Sequence, residues 1–291
     1  MDYLAHLLVV VLIYASLTVS LDLMIGHTGI LTFGHASFYG IGAYATAILT
    51  VYAGLDWFSA MVLAFVVGAL AAALVGIPTL RLGGDYFILA LFGFSLIVIS
   101  LIVNMEWLTN GPFGIRGVPR PSLGPLVVQS GAGILVFTAF VVALIYFVHW
   151  RFVTSPMKAA LQAIRDDESV AMALGIDVVR TKIIVFTLGG GFAALSGALA
   201  AFYFRFVTSN SYGLTTIILL WAMLFVGGNC SLAGSLVGPA VLIFFPEVFR
   251  FIGGPGWDIG NIQEAMYGLL LILLMLFRPQ GLVGQRVGLR S

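Results

Sequence analysis

Gly131-Ala132-Gly133-Ile134-Leu135-Val136-Phe137-Thr138-Ala139-Phe140-Val141-Val142-Ala143-Leu144-Ile145-Tyr146-Phe147-Val148 contains no Asp, Glu, Lys or Arg, and an abruptly polar stretch from Thr154 to Lys182 follows it. An apolar run of this length reads as a helix crossing lipid, because roughly 20 such residues span a ~30 Å hydrocarbon layer. Runs of the same kind lie near 4–25, 36–53, 59–78, 85–105, 128–150, 182–207, 214–228, 236–252 and 264–278. They are continuously apolar rather than alternating, which argues against a transmembrane β-barrel and leaves helices to satisfy the backbone in lipid. The expected fold is all-α: a polytopic transmembrane bundle of about nine spans, forming one domain over residues 1–291.

Composition agrees. The chain is 61% hydrophobic and 9% charged, with a mean hydropathy of +1.11. A formal net charge of +1 supplies no basic stripe, so no nucleic-acid partner is expected. Cys230 is the single cysteine, which rules out an intramolecular disulfide and a multi-cysteine metal site. Met1-Asp2-Tyr3 lacks the basic region of a cleavable signal peptide, so the first run is read as a retained helix.

Two short runs, 214–228 and 236–252, flank Gly227-Gly228-Asn229-Cys230-Ser231-Leu232-Ala233-Gly234. A broken or re-entrant segment is expected over 227–235, which membrane depth tolerates where protein or water covers it. A second irregular stretch, 106–127, has a density of Gly and Pro that favours tight turns over regular helix.

Basic residues orient the bundle, because loops rich in Lys and Arg stay cytoplasmic. With 154–182 inside, alternation places Arg81, Arg151, Lys158, Arg165, Arg180, Lys182, Arg278, Arg286 and Arg290 inside, and Arg116, Arg120, Arg205 and Arg250 outside. The N terminus is then outside, the C terminus inside, and 106–127 periplasmic.

The polar loop has its own pattern. Ser155 suits an N-cap and Pro156 the first helical position. Met157, Ala160, Leu161 and Ile164 follow at i, i+3, i+4 and i+7, one apolar stripe on a short amphipathic helix. Asp166, Asp167 and Glu168 suit the start of a second short helix, ending where Gly175 can turn left-handed. An interfacial helix lying on lipid shares this pattern, but the acidic cluster works against an anionic membrane surface and favours a protein partner.

The run from Lys158 through Ala163-Ile164-Arg165-Asp166-Asp167-Glu168 to Leu174-Gly175-Ile176 resembles the cytoplasmic coupling loop of permeases in the branched-chain amino acid branch of ABC transporters, the LivH/LivM family, and is most similar to the LivM type. Further likenesses are Gly29-Ile30-Leu31-Thr32-Phe33-Gly34-His35-Ala36, Arg81-Leu82-Gly83-Gly84-Asp85-Tyr86, Thr109-Asn110-Gly111-Pro112-Phe113-Gly114-Ile115 and Arg278-Pro279-Gln280-Gly281-Leu282. Asn229-Cys230 departs from the small, Gly-rich residues usual there.

The resemblance implies a non-catalytic subunit in the bacterial inner membrane. Its partners would be two ATPases, a second LivH-type permease, a periplasmic or lipid-anchored solute-binding protein and membrane lipid. ATP and Mg would be bound by the ATPases, and no cofactor is expected in this chain, which has no phosphate-binding loop. Met157, Ala160, Leu161, Ile164, Arg165, Asp166, Asp167, Glu168 and Gly175 are the expected ATPase-coupling residues. The solute is expected to be a branched-chain amino acid; urea or a short amide is the alternative within the family, and an ion-coupled secondary transporter the alternative outside it.

Gly34, His35, Gly40, Gly42, Tyr44, Gly227 and Gly228 are candidates for the translocation path, weighed against plain helix packing by small residues. Packing is also the plain reading of Gly189, Gly190, Gly191 and Gly197 with Ala193, Ala194 and Ala198. Asp22, His27, His35, Asp85, Glu106, Arg205, Glu247 and Glu264 lie near span ends, where most are expected at the interface. His27 and His35 hint at a metal or proton relay, but without a carboxylate partner in sequence no metal site is expected.

Overall fold

The computed structural model describes residues 2–82, 84–123, 126–127 and 131–252, together with 268, 276 and 281–283. Within them the chain is an all-α bundle. Its long helices are α1 (Asp2–Thr28), α2 (His35–Val51), α3 (Trp57–Thr79) and α4 (Asp85–Asn104), followed by the single turn α5 (Glu106–Thr109). Then come α6 (Gly131–Val153), the short pair α7 (Met157–Asp166) and α8 (Glu168–Ala173), α9 (Val178–Phe204), α10 (Leu214–Gly227) and α11 (Gly234–Ile252).

Eight of these helices coincide with the first eight expected spans. Of the ninth, 264–278, only Gly268 and Leu276 are among the described residues, both helical, and the rest of that span lies outside them. Helices α1, α3, α4, α6 and α9 are each long and apolar enough to cross a membrane, while α10 and the apolar part of α11 are shorter.

Helices α1 and α9 form the middle. About three-quarters of their apolar windows is buried (78% and 72%), against about a third for α3, α4 and α6, whose outer faces carry bare Leu, Val and Phe suited to lipid. The smooth face of α9 explains how its neighbours come so close. A Cβ at Gly191 would lie 2.7 Å from the Phe65 ring, one at Gly190 would collide with Ala72, and one at Gly197 with the backbone of Tyr39. Small residues thus bring α2 and α3 onto α9 where no hydrophobic effect drives helices together.

Helix ends sort into two groups. At one end, α1 stops in a left-handed turn at Gly29 (φ 72°), where Ile30 N–H reaches back to Met24 C=O. Gly29 there faces Arg165 of α7. The same end holds the α3–α4 turn, the end of α6 and the α10–α11 connection. At the other end, Ile115–Arg116 pairs antiparallel with Phe206–Val207, and Trp57 Nε1 donates to Ser122 C=O at 2.6 Å.

The described residues of the 106–127 stretch form tight turns, as their Gly and Pro suggest. Thr109 Oγ1 donates to Ile102 C=O, Asn110 takes a left-handed conformation while its Nδ2 donates to Gly114 C=O, and Gly114 sits against Val207.

The described basic residues follow the same division. Arg81, Arg151, Lys158, Arg165, Arg180 and Lys182 gather at the α7 end, and Arg116, Arg120 and Arg205 at the other.

Candidate coupling site

Local sequence builds the loop largely as its residues suggest. Helix α7 begins one residue later than expected, at Met157, whose N–H donates to Ser155 Oγ at 3.3 Å. Asp167 is the N-cap of α8: its Oδ1 accepts from Ser169 N–H (2.7 Å) and Val170 N–H (3.2 Å). Hydrogen bonds from Ser169, then from the Val170 backbone, hold this carboxyl below the usual carboxylate range. Gly175 (φ 82°) closes α8, and Ile176 N–H bonds Ala171 C=O at 3.1 Å.

Two of the four residues of the apolar stripe turn inward. Leu161 (1% exposed) enters the main core where α7 lies on α1, and Ile164 (2%) packs with Ala171 and Val178. These residues are therefore used up in seating the loop on its own bundle and are not presented to a partner. Met157 and Ala160 are half-buried beside them. What remains open is the outer surface: Lys158, Ala159, Gln162, Asp166, Asp167 and Glu168, with Val170 (54%), Met172 (59%) and Leu174 (71%) bare on and just after α8. Spacing alone shows that an apolar stripe exists, while its direction depends on where α1 lies.

Arg165 joins the loop to the bundle interior. Its guanidinium donates to Cys230 Sγ in the α10–α11 connection, and that thiol bonds Gly26 C=O at 2.8 Å. Cys230 N–H donates to Asp22 Oδ1 at 2.8 Å. Asp22 is fully buried rather than interfacial.

Nearby, Lys182 at the start of α9 pairs with Glu168 of α8. A cleft of about 550 Å³ opens beside them, lined in part by Gly29, Arg81, Asp85, Glu168 and Lys182.

The connection is a closed turn. Gly227 packs on the backbone of Gly234, Gly238 on Met223, and Gly281 on Gly228, while Leu282 and Val283 N–H cap the carbonyls of Val226 and Gly227. Cys230 has φ 59°, a conformation that favours glycine, so the Asn229-Cys230 departure falls where a small residue would sit with less strain.

The path candidates occupy closed contacts too. Gly34 abuts Leu91, a Cβ at Gly40 would lie 2.9 Å from the Tyr212 ring, and Gly42 meets the backbone of Ala194. His35 is buried, its Nε2 2.8 Å from Ser20 Oγ, and Tyr44 is buried edge-on to Tyr212. Among the described residues, these side chains and glycines pack helices against one another within the chain.

His27 and His35 do not meet. His27 instead approaches Asp22 and His149, a convergence that sequence reading missed because His149, in an apolar span 127 positions from Asp22, carries no local signal.

A multi-pass helical membrane protein, with a capped two-helix loop pinned to the buried ends of its spans, is the class this geometry defines. Residues 3–277 match the family described as branched-chain amino acid transport system / permease component, and the chain belongs to that family. It is 32% identical to the high-affinity branched-chain amino acid transport system permease protein LivM of Salmonella typhimurium, over 94% of this chain and 68% of that one, and equally to LivM of Escherichia coli. It is thus homologous to the LivM permease. LivH of Escherichia coli is 22% identical over 94% of this chain and 91% of its own. No solved structure matches the chain.

Proposed function

We propose that this chain is the LivM-type permease subunit of an ATP-driven importer in the bacterial inner membrane. It would pair with a LivH-type permease, two ATPases and a solute-binding protein, and carry a branched-chain amino acid or a related small neutral solute. Relatives of both permease types support the pairing, and the substrate named for the LivM relatives supports the cargo. On this reading the α7 end is cytoplasmic, in keeping with its excess of Lys and Arg.

The observation that carries the mechanism is the seating of α7. Leu161 holds it on α1, and Arg165 ties it to Cys230 between α10 and α11. Movement of a partner against the exposed side of α7–α8 therefore reaches three bundle helices as displacement of a rigid unit, the kind of shift by which one domain's closure rocks another. ATP would be hydrolysed by the partner ATPases.

Co-purification tests the assignment. Expressed together with a LivH-type permease, the ATPases and the solute-binding protein, the chain should bring down an ATPase and support ATP-dependent uptake in vesicles. Uptake driven by an ion gradient with no ATPase present would overturn it in favour of a secondary transporter.

A further inference from the structure

Asp22, His27 and His149 meet at the α7 end of the bundle, brought there by α1 and α6. One ligand atom from each lies within 4.8 Å of the others. Asp22 Oδ2 is 3.4 Å from His27 Nε2 and 3.9 Å from His149 Nε2. Around a tetrahedral zinc with bonds of ~2.0–2.1 Å, neighbouring ligand atoms are about 3.4 Å apart, so small shifts bring all three into a coordination shell.

The polar accounting points the same way. Asp22 and His149 are completely buried, yet neither Asp22 Oδ2 nor His149 Nε2 has a hydrogen-bond partner. Held at ion-pair distance from both imidazoles but hydrogen-bonded to neither, this buried carboxylate oxygen has room for a partner that a bound cation would supply. Arg165 approaches from α7 but ends on the Cys230 thiol. The carboxylate divides its duties: Oδ1 accepts from Cys230 N–H, leaving Oδ2 for another ligand.

We propose that Asp22, His27 and His149 form a binding site for one divalent transition metal of the zinc type, inside the bundle at its α7 end. Two imidazoles and one carboxylate suit such an ion better than magnesium or calcium, which prefer all-oxygen shells. The site has a way in, because His27 is partly exposed while the other two are sealed. A bound ion would tie α1 to α6 and, through Asp22 Oδ1, steady the α10–α11 connection that α7 touches. The proposal does not depend on the transported solute.

The test is metal binding by the full chain in detergent, with any affinity tag removed. After incubation with Zn²⁺ and passage over a chelating resin, about one zinc per chain should remain. His27→Gln combined with His149→Gln should lower retention more than tenfold. Zinc content equal in wild type and double variant, or none in the wild type, overturns the site. Should the double variant fail to fold, Co²⁺ added to the wild type decides: an intense visible band from a low-symmetry nitrogen and oxygen site is expected, and the weak spectrum of hydrated Co²⁺ contradicts it.

Discussion

The backbone N–H of Cys230 donates to Asp22 Oδ1 across 2.8 Å, joining the turn between α10 and α11 to the last turns of α1, 208 positions away in the chain. The acceptor is buried. Asp22→Ala would leave the Cys230 N–H without its acceptor, at a cost of about 1–3 kcal/mol. Asp22→Asn retains an oxygen acceptor and should recover much of that loss. Thermal unfolding of both variants in detergent checks the difference, and equal destabilisation would show that charge, not the hydrogen bond, is what matters.

Cys230 holds a left-handed conformation that glycine adopts freely. Cys230→Gly should change stability by less than about 1 kcal/mol, strain relief offsetting the lost thiol contacts. Cys230→Val, β-branched at positive φ, should lose about 1–3 kcal/mol. Unfolding midpoints measured side by side would separate the two.

Two glycines make opposite predictions. Gly42 faces the backbone of Ala194 with no room for a Cβ, so Gly42→Ala should cost about 1–3 kcal/mol. Gly93 lies within α4 with nothing inside 4 Å of an added Cβ, so Gly93→Ala should be neutral or gain up to about 1 kcal/mol. Unfolding of the isolated chain reads both.

The cap on α8 predicts a pH dependence. The Asp167 carboxyl titrates below its usual range because Ser169 and Val170 bond its ionised form. Its stabilisation is therefore complete above the unfolded-state pKa and is lost as pH falls through the lower folded-state value. Limited proteolysis of the 154–182 loop should speed up over that acidic window. Asp167→Ala should show the fast cleavage at neutral pH, with Asp167→Asn partly restoring protection.

Much of this architecture is legible in sequence because lipid imposes a length and an apolar composition on each span. That constraint places eight helices, and the acidic run Asp166-Asp167-Glu168 and Gly175 mark the start and end of α8 by local chemistry alone. Long-range relations are different. The inward direction of Leu161 and Ile164, the meeting of Asp22 with His149, and the closed contacts at Gly42 and Gly227 all depend on which helices adjoin. Periodicity does not encode adjacency. Asp22 illustrates this: its place near a span end suggested an interfacial carboxylate, yet α1 continues to Thr28 and the Cys230 turn covers the side chain.

The exposed side of α8 bears most directly on coupling. Met172 and Leu174 are bare and lie off the cluster that seats the loop, so Met172→Asp and Leu174→Asp should leave unfolding of the chain unchanged. The decisive measurement is solute taken up per ATP hydrolysed by the assembled transporter in liposomes. A fall of about tenfold or more in that ratio, with the permease still inserted and stable, is the predicted result. An unchanged ratio in both variants would contradict the assignment of α7–α8 as the coupling unit.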